Sequence, residues 1–365
     1  MSFAIGERVR VALAPPEYLL PPLAGIDVST SGIKVAHLVR GARGLMLAGY
    51  AKVKLAPGVF TDGEIVNRDM VAEALVAAAA EAGISIAHVS LSESKSYLFE
   101  TAVPGNEKVE WRTAIEQHLD EFVPLPPAET VFDFVPIGRT DRGDMMVSGV
   151  GFAERIVEQT LAVFDQAHIG VQSLEGEMFA SSRALLPTGD ETTVLIIDIG
   201  KTTTKLSIVT KRVPRFATTI TIGGHALTLA VQKYFGVTEA EARRVKADKG
   251  IVPTPGNEEY LAAMLSTVSA IRDEISRRLE YWQERAIPGG THEKVSHALL
   301  VGGNASVRGL PEYLEGALKI PVAVGNVFTN CASMDIWVPS LDYTESLAFA
   351  TSIGLALREC TSSYA

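Results

Sequence analysis

The chain has 365 residues, 47% of them apolar and 21% charged, with a formal net charge of −10. That length and apolar content suit a globular protein with at least two packed cores, and the acidic balance, without any block of like charges, excludes sequence-independent binding to nucleic acid phosphates. The two cysteines, Cys331 and Cys360, lie in no CxxC or Cys/His cluster, so neither a disulfide framework nor a zinc site is expected, and a reducing cytosol fits.

At the start of the chain, Glu7, Arg8, Arg10 and several prolines interrupt any apolar run, so no secretion signal is expected, and residues 1–22 read as an extension without an assigned role. Next comes an internal echo. Gly25-Ile-Asp-Val-Ser-Thr-Ser-Gly-Ile-Lys-Val reappears as Ile196-Ile-Asp-Ile-Gly-Lys-Thr-Thr-Thr-Lys-Leu, which places Asp27 and Asp198, and also Lys34 and Lys205, at equal spacing. Each copy predicts an apolar strand ending in Asp, a turn of small residues, a second strand (Lys34 to Val39, Thr203 to Val209) and a third after Arg43 or Arg212. Two similar β-cores follow from this.

Between the copies, the pattern predicts a helix from Arg68 to Ala82, begun by Asn67 and stopped by Gly83. Its apolar part, Met70 to Ala82, is interrupted by Glu73 and Glu81 and is too short to span about 30 Å of hydrocarbon, so membrane association is expected only through partners. A second helix, Lys108 to Phe122, aligns Ile115, Leu119 and Phe122 and ends at Pro124, Pro126 and Pro127. With strands at Ala87 to Ser92, Tyr97 to Val103, Thr130 to Val135 and Met145 to Gly151 and a helix from Glu154 to Ala167, this reads as a small α+β insertion within the first half. Beyond the second copy, Leu261, Leu265, Val268, Ile271, Ile275, Leu279 and Trp282 stripe one long helix between Pro255 and Pro288. A buried strand at Ala298 to Val301, the turn Gly302-Gly303-Asn304-Ala305, a short helix from Pro311 and a small-residue helix from Ser346 to Arg358 complete the chain.

A strand that ends in Asp and turns through small residues sets a carboxylate beside a ring of backbone N–H groups, suited to a phosphate chain with a divalent cation. One such hairpin alone is an ordinary turn, but two at matching spacing, with Gly302-Gly303 after a third strand, make a nucleotide clamp. The glycine pair offers a bare backbone to a base or ribose. Lys246, at the end of a helix from Glu239, reaches either toward that nucleoside or into solvent.

These residues bring out a resemblance. Asp27-Val-Ser-Thr-Ser-Gly-Ile-Lys34 is similar to the first phosphate loop of the actin and FtsA superfamily, with Ser29 in place of the usual glycine as in PilM-like loops, and Asp198-Ile-Gly-Lys-Thr-Thr-Thr to the second. Ala298 to Leu310 resembles the adenosine motif of the PilM family of type IV pilus assembly proteins, Gly354 to Arg358 its C-terminal connecting helix, Ile115 to Asp133 its insertion helix and proline turn, and Glu274 to Trp282 its long second-domain helix. The resemblance covers roughly Gly25 to Arg358.

It implies an α/β fold of the actin-like kind, a duplicated ribonuclease H-like ATPase in two domains, with an FtsA-type 1C insertion. By position, it divides the chain into an extension (1–22), subdomain IA (23–86), the inserted IC (87–172), a connecting segment of IA (173–190), IIA (191–225 and 291–345), IIB (226–290) and a connecting helix back to IA (346–365). It implies ATP with Mg²⁺ between the halves. Asp27 and Asp198 would hold the hydrated metal; Ser29, Thr30, Ser31 and Lys34 the β-phosphate; Gly200, Lys201, Thr202 and Thr203 the outer phosphates; Gly302, Gly303 and Asn304, with Lys246, the nucleoside. Lys201 and Arg243 depart from the family pattern, Arg243 standing where a ribose-binding Glu is usual.

For hydrolysis, Glu175 or Glu177 is the candidate to orient water, although both also fit as helix N-terminal acids, so the chain is expected to be at most a slow ATPase. The function implied is a cytoplasmic platform at the inner membrane that captures the cytosolic tail of a PilN-like membrane protein and meets other pilus-assembly proteins, with self-association left open. An FtsA-like filament protein would end in a basic amphipathic helix, which Arg358 to Ala365 does not form. A small-molecule kinase would need a further catalytic Asp, and none stands out.

Overall fold

The computed structural model describes residues 20–284 and 293–361. The extension at 1–19, Pro288 and the last four residues lie outside the described residues.

The first half opens with an antiparallel meander, β1 (Leu23–Ser29), β2 (Gly32–Gly41) and β3 (Gly44–Val53). A short ribbon of β4 (Phe60–Thr61) and β5 (Glu64–Ile65) leads into α1 (Arg68–Ala82). The Asn67 side chain caps this helix by accepting from the Met70 N–H, and Gly83 ends it at φ 68°. That φ favours glycine, as expected of a left-handed C-cap. Strand β6 (Ile86–Leu91) follows, and its sheet is completed much later by β10 (Gly170–Gly176), giving the order β10-β6-β1-β2-β3 with β1, β6 and β10 parallel.

The insertion is smaller than the sequence suggests. Its sheet is β7 (Ser96–Val103), β9 (Met145–Ala153) and β8 (Thr130–Arg139), all antiparallel with β9 central. Ala87 to Ser92 does not belong to it, because β6 pairs with β1 and β10 in the first sheet. Nor does α4 (Glu154–Gln166) contribute mainly to it: Val163 and Phe164 are buried among Leu75, Val89 and Ile26 of the first core. The helix expected over Lys108 to Phe122 breaks at His118 into α2 (Lys108–Gln117) and α3 (Leu119–Phe122). Trp111, Ile115 and Leu119 still bury one face against Phe99, Phe134 and Val147.

After β10, α5 (Glu177–Leu185) leads to the second half, where β11 (Thr193–Ile199), β12 (Thr204–Thr210) and β13 (Val213–Ile220) repeat the meander. Helices α6 (Gly224–Phe235), α7 (Glu239–Lys249) and α8 (Glu258–Glu284) come next, then β14 (His297–Val301), α9 (Leu310–Leu318) and β15 (Val322–Val324). The sheet order β13-β12-β11-β14-β15 reproduces that of the first half strand for strand, as the echo requires. Even the register is shared, since Asp27 stands opposite Lys34 and Asp198 opposite Lys205.

The expected C-terminal helix is segmented into α10 (Tyr343–Ser346), a 3₁₀ turn (Leu347–Phe349), α11 (Ala350–Ala356) and α12 (Arg358–Thr361). Phe349, Ile353, Ala356 and Leu357 join Leu38, Val194 and Ile196 in a core between the two sheets. With helices on both faces, β1 is buried from Leu23 through Val28, as a doubly covered sheet should be. No helix among the described residues is long and apolar enough to cross a membrane.

Candidate functional site

Both hairpin turns open onto one cleft of about 720 Å³ between the halves. The Thr30 and Thr202 hydroxyls lie 3.0 Å apart, so the two loop tips meet. Lining the cleft are Asp27, Ser29, Thr30, Ser31, Lys34, Asp198, Gly200, Lys201, Thr203, Lys246, Gly302, Gly303 and Asn304, thus nearly all of the expected nucleotide-site residues in one place. Thr202 reaches the site through its bond to Thr30. Lys52, Lys54, Lys205 and Arg243 add to Lys34, Lys201 and Lys246, while the acids on the wall are Asp27, Asp198 and Glu239. Such an excess of cations at the mouth of two glycine- and hydroxyl-rich turns favours an anionic ligand.

Asp27 and Asp198 occupy equivalent strand ends but different environments. Asp27 is buried, accepting from Lys34 Nζ at 2.8 Å and Ser90 Oγ at 2.9 Å. Burial pushes its carboxyl up, but Lys34 and Lys205 outweigh this and hold it below the usual range. Lys34 also donates to Ser29 Oγ at 3.0 Å. Asp198 has no side-chain hydrogen bond among the described residues, and burial lifts its carboxyl against the pull of Lys205 and Lys34. Gly302 sits at φ 90°, and a Cβ there would come within 2.2 Å of Asp198 Oδ1. A bare backbone at that turn is therefore what leaves this carboxylate open to the cleft.

Lys205, part of the echo but not expected as a site residue, lines the cleft floor and pairs with Glu177. Glu177, Asp198 and Asp27 together override its burial and keep the ammonium charged. Glu93, in the turn before β7, is a further group that the sequence does not flag. Its backbone N–H donates to Glu177 Oε2 at 3.2 Å, and its Oε1 is buried without a partner. Burial, with Glu177 and Asp198 nearby, raises its pKa well above the normal value despite Lys205.

This shift has a stability consequence. A carboxyl whose folded pKa is raised contributes stability below its unfolded value and loses it as pH rises through the folded one. Glu93→Gln is therefore expected to raise the melting temperature at pH 8 by a few degrees and to change little near pH 4.5. Thermal melts across that range check it, and a pH-independent difference would reject the assignment.

The two candidate water-orienting acids part company. Glu175 stands outside the cleft, bound by Arg183 Nη1 and Nη2 (2.8 and 2.5 Å) and by Arg358 Nη1 at 3.0 Å. Burial alone would raise its carboxyl, but these arginines hold it low. Its carboxylate is an ion-pair anchor and does not line the cleft in which the sequence expects it to orient water. Glu177 starts α5 beneath the cleft, but its carboxylate is committed to Lys205 and the Glu93 N–H. Lys246 is neither solvated nor free: it is buried and bonded to Gly224 O, Thr228 Oγ1 and Asn304 Oδ1. Glu239, one turn before Arg243 and paired with it, lines the same cleft and puts a carboxylate beside the position where Arg243 offers none.

A second depression of about 420 Å³ runs between the insertion and the first core. Leu91, Val131, Phe132, Phe134, Val150, Phe152, Val157, Leu174 and Phe179 give it apolar walls, and Glu175, Arg183 and Arg358 a charged floor. Strand β8 forms one side and is an edge of its sheet.

Among solved structures, the chain is similar to one titled as a PilM–PilN type IV pilus biogenesis complex, with a TM-score of 0.75 at 21% identity, covering 92% of this chain and 97% of that one. It is also similar to the ethanolamine utilization protein EutJ from Carboxydothermus hydrogenoformans (TM-score 0.53, 15% identity, 94% and 90% covered) and to MreB5 of Spiroplasma citri bound to ADP (0.52, 14%, 86% and 94%). At such identities these likenesses establish the actin-like two-domain fold that the paired sheets already display. Residues 25–360 match the family described as type IV pilus assembly protein PilM, and since that match spans most of its length, the chain belongs to the PilM family.

Proposed function

We propose that this protein is a nucleotide-binding platform of type IV pilus assembly that holds the cytosolic tail of a PilN-like membrane protein. The observation that carries the nucleotide half is the pair of duplicated turns meeting at Thr30 and Thr202 over a cation-lined cleft. The two loops suit the phosphates of ATP, with the nucleoside turn, buried at Gly302 and exposed at Gly303, beyond them. Asp198, lacking a side-chain partner and exposed to the cleft, fits as the principal protein ligand for Mg²⁺, which would offset phosphate charge. Asp27, at the equivalent strand end and already paired with Lys34, would add its charge to the same site.

Hydrolysis needs a group free to align water, and Glu177 is tied to Lys205. Bound nucleotide therefore acts chiefly as a structural or conformational ligand. Calorimetry should detect Mg²⁺-dependent ATP binding, weakened at least about tenfold by Asp198→Ala, the loss of one charge-assisted contact, with steady-state turnover below about 1 s⁻¹. Equal affinity in wild type and variant would remove the clamp from this reading.

For the partner half, the support is the apolar groove beside the edge strand β8, where an extended tail adds main-chain hydrogen bonds and seats apolar side chains. The fold likeness to a PilM–PilN complex favours the same reading. Association with the inner membrane then runs through that tail, on the cytoplasmic side.

A further inference from the structure

The sequence offers Lys246 two fates, a contact to the nucleoside or exposure to solvent, and the structure gives it neither. An ammonium has three protons. Lys246 directs its Nζ to three acceptors: Gly224 O at 3.1 Å, Thr228 Oγ1 at 3.1 Å and Asn304 Oδ1 at 2.7 Å. None is left for a ligand.

The third bond carries further. Because Lys246 can only donate, it fixes which way the Asn304 amide faces. The Asn304 Nδ2 group then donates to Gly200 O at 2.9 Å and Ile199 O at 3.3 Å, at the start of the second phosphate loop. The amide packs against the backbone of Gly224, where a Cβ would lie about 2.0 Å from it, so the glycine there is what admits this side chain. A chain of hydrogen bonds thus runs from the last turns of α7, through the nucleoside turn, to the loop that faces the phosphates.

We infer that Lys246 is a positioning residue: it sets the second phosphate loop through Asn304 and does not itself bind the base or sugar. The consequence for phosphate affinity rests on the nucleotide reading above, whereas the consequence for the loop does not. The charged groups around Lys246 are Arg243 on its own helix, Glu239 paired with Arg243, His225 on α6 beside Glu239, and Lys201 in the loop. Burial, aided by Arg243, brings its pKa down to about 8. Deprotonation leaves two donors for three acceptors, so the bracket loosens as pH rises through that value.

Two variants test this. Lys246→Met keeps the stem and removes the donors, while Asn304→Asp still accepts from Lys246 but loses the side-chain donation to Gly200 and Ile199, keeping only the backbone N–H bond to Ile199 O. In ligand-free protein at pH 7, hydrogen exchange of amides 199–204 is expected to rise about tenfold in both, one charge-assisted or amide bond being lost, with amides of α7 little changed. Loop protection unaltered by Asn304→Asp would overturn the inference. Calorimetry with two probes, ADP and adenosine, should show Lys246→Met weakening ADP about tenfold and leaving adenosine unchanged. ADP affinity of the wild type should fall between pH 7 and pH 9, and that of Lys246→Met should stay flat. Equal losses for adenosine and ADP would mean that Lys246 meets the nucleoside directly, overturning the inference. A wild type that binds neither probe would defeat the nucleotide reading, while the exchange result would still decide the role of Lys246.

Discussion

Gly354→Val is expected to abolish cooperative folding, and Gly354→Ala to destabilise the protein by about 3 kcal/mol or more, the upper range for forcing extra atoms into a packed core. Elsewhere in a helix, glycine to alanine is stabilising by roughly 1 kcal/mol. At Gly354 of α11, a Cβ would lie 1.8 Å from Ala180 O and 2.4 Å from its carbonyl carbon, inside the backbone of α5. The helix cannot retreat, because β1 approaches its other side so closely that a Cβ on Gly25 would meet Ser352 O at 2.1 Å. It is wedged between two backbones in the core that joins the halves. Gly316 of α9 is the control, with nothing within 4 Å of its absent Cβ, and Gly316→Ala should stabilise slightly. Urea denaturation of the two alanine variants measures both signs, and a Gly354→Ala midpoint equal to wild type would refute the wedge.

Much of this was legible in the sequence for a physical reason: the echo repeats the residues that a turn and a strand register demand. Asp27, Lys34, Asp198 and Lys205 fall at the same register in both halves because each pair of strands is joined by a small-residue turn after the same Asp. The caps of α1 were equally local, Asn67 and Gly83 each acting within one helical turn. What stayed hidden depends on chain far away. Nothing near Glu175 announces Arg358, and nothing near Glu93 announces Glu177, Asp198 or Ser207, since each meeting joins segments far apart in the chain, and those with Asp198 and Ser207 require the two halves to close as well. Local pattern also misassigned β6, an apolar strand that would suit either sheet and is claimed by the first through parallel pairing with β1 and β10. Lys205 could have been found, being the symmetric counterpart of Lys34. Its partner could not, because Lys34 pairs with the Asp of its own hairpin and Lys205 with Glu177 of the other half.

The second large effect concerns the partner groove. Removing residues 87–171 would be a poor test, since it takes nearly all of β6 and the whole of α4 out of the first core. A single change on the groove wall is cleaner. Val131 lies on β8, lines the groove and is 44% exposed, so a charge placed there leaves the core of the insertion intact. An apolar residue of the tail that covers Val131 would gain about 1.5–3 kcal/mol from burial at such a site. Val131→Glu replaces that gain with the desolvation of a carboxylate, and the expected loss in affinity for a synthetic PilN-like tail is about 30-fold or more. Arg358→Gln, at the charged floor, should cost less, because Arg183 keeps both of its bonds to Glu175. Titration of a fluorescent tail peptide into each variant, with thermal melts to show that folding is retained, gives the ranking. If Val131→Glu binds the tail as tightly as wild type while melting normally, the tail lies on another surface and the groove has a different occupant.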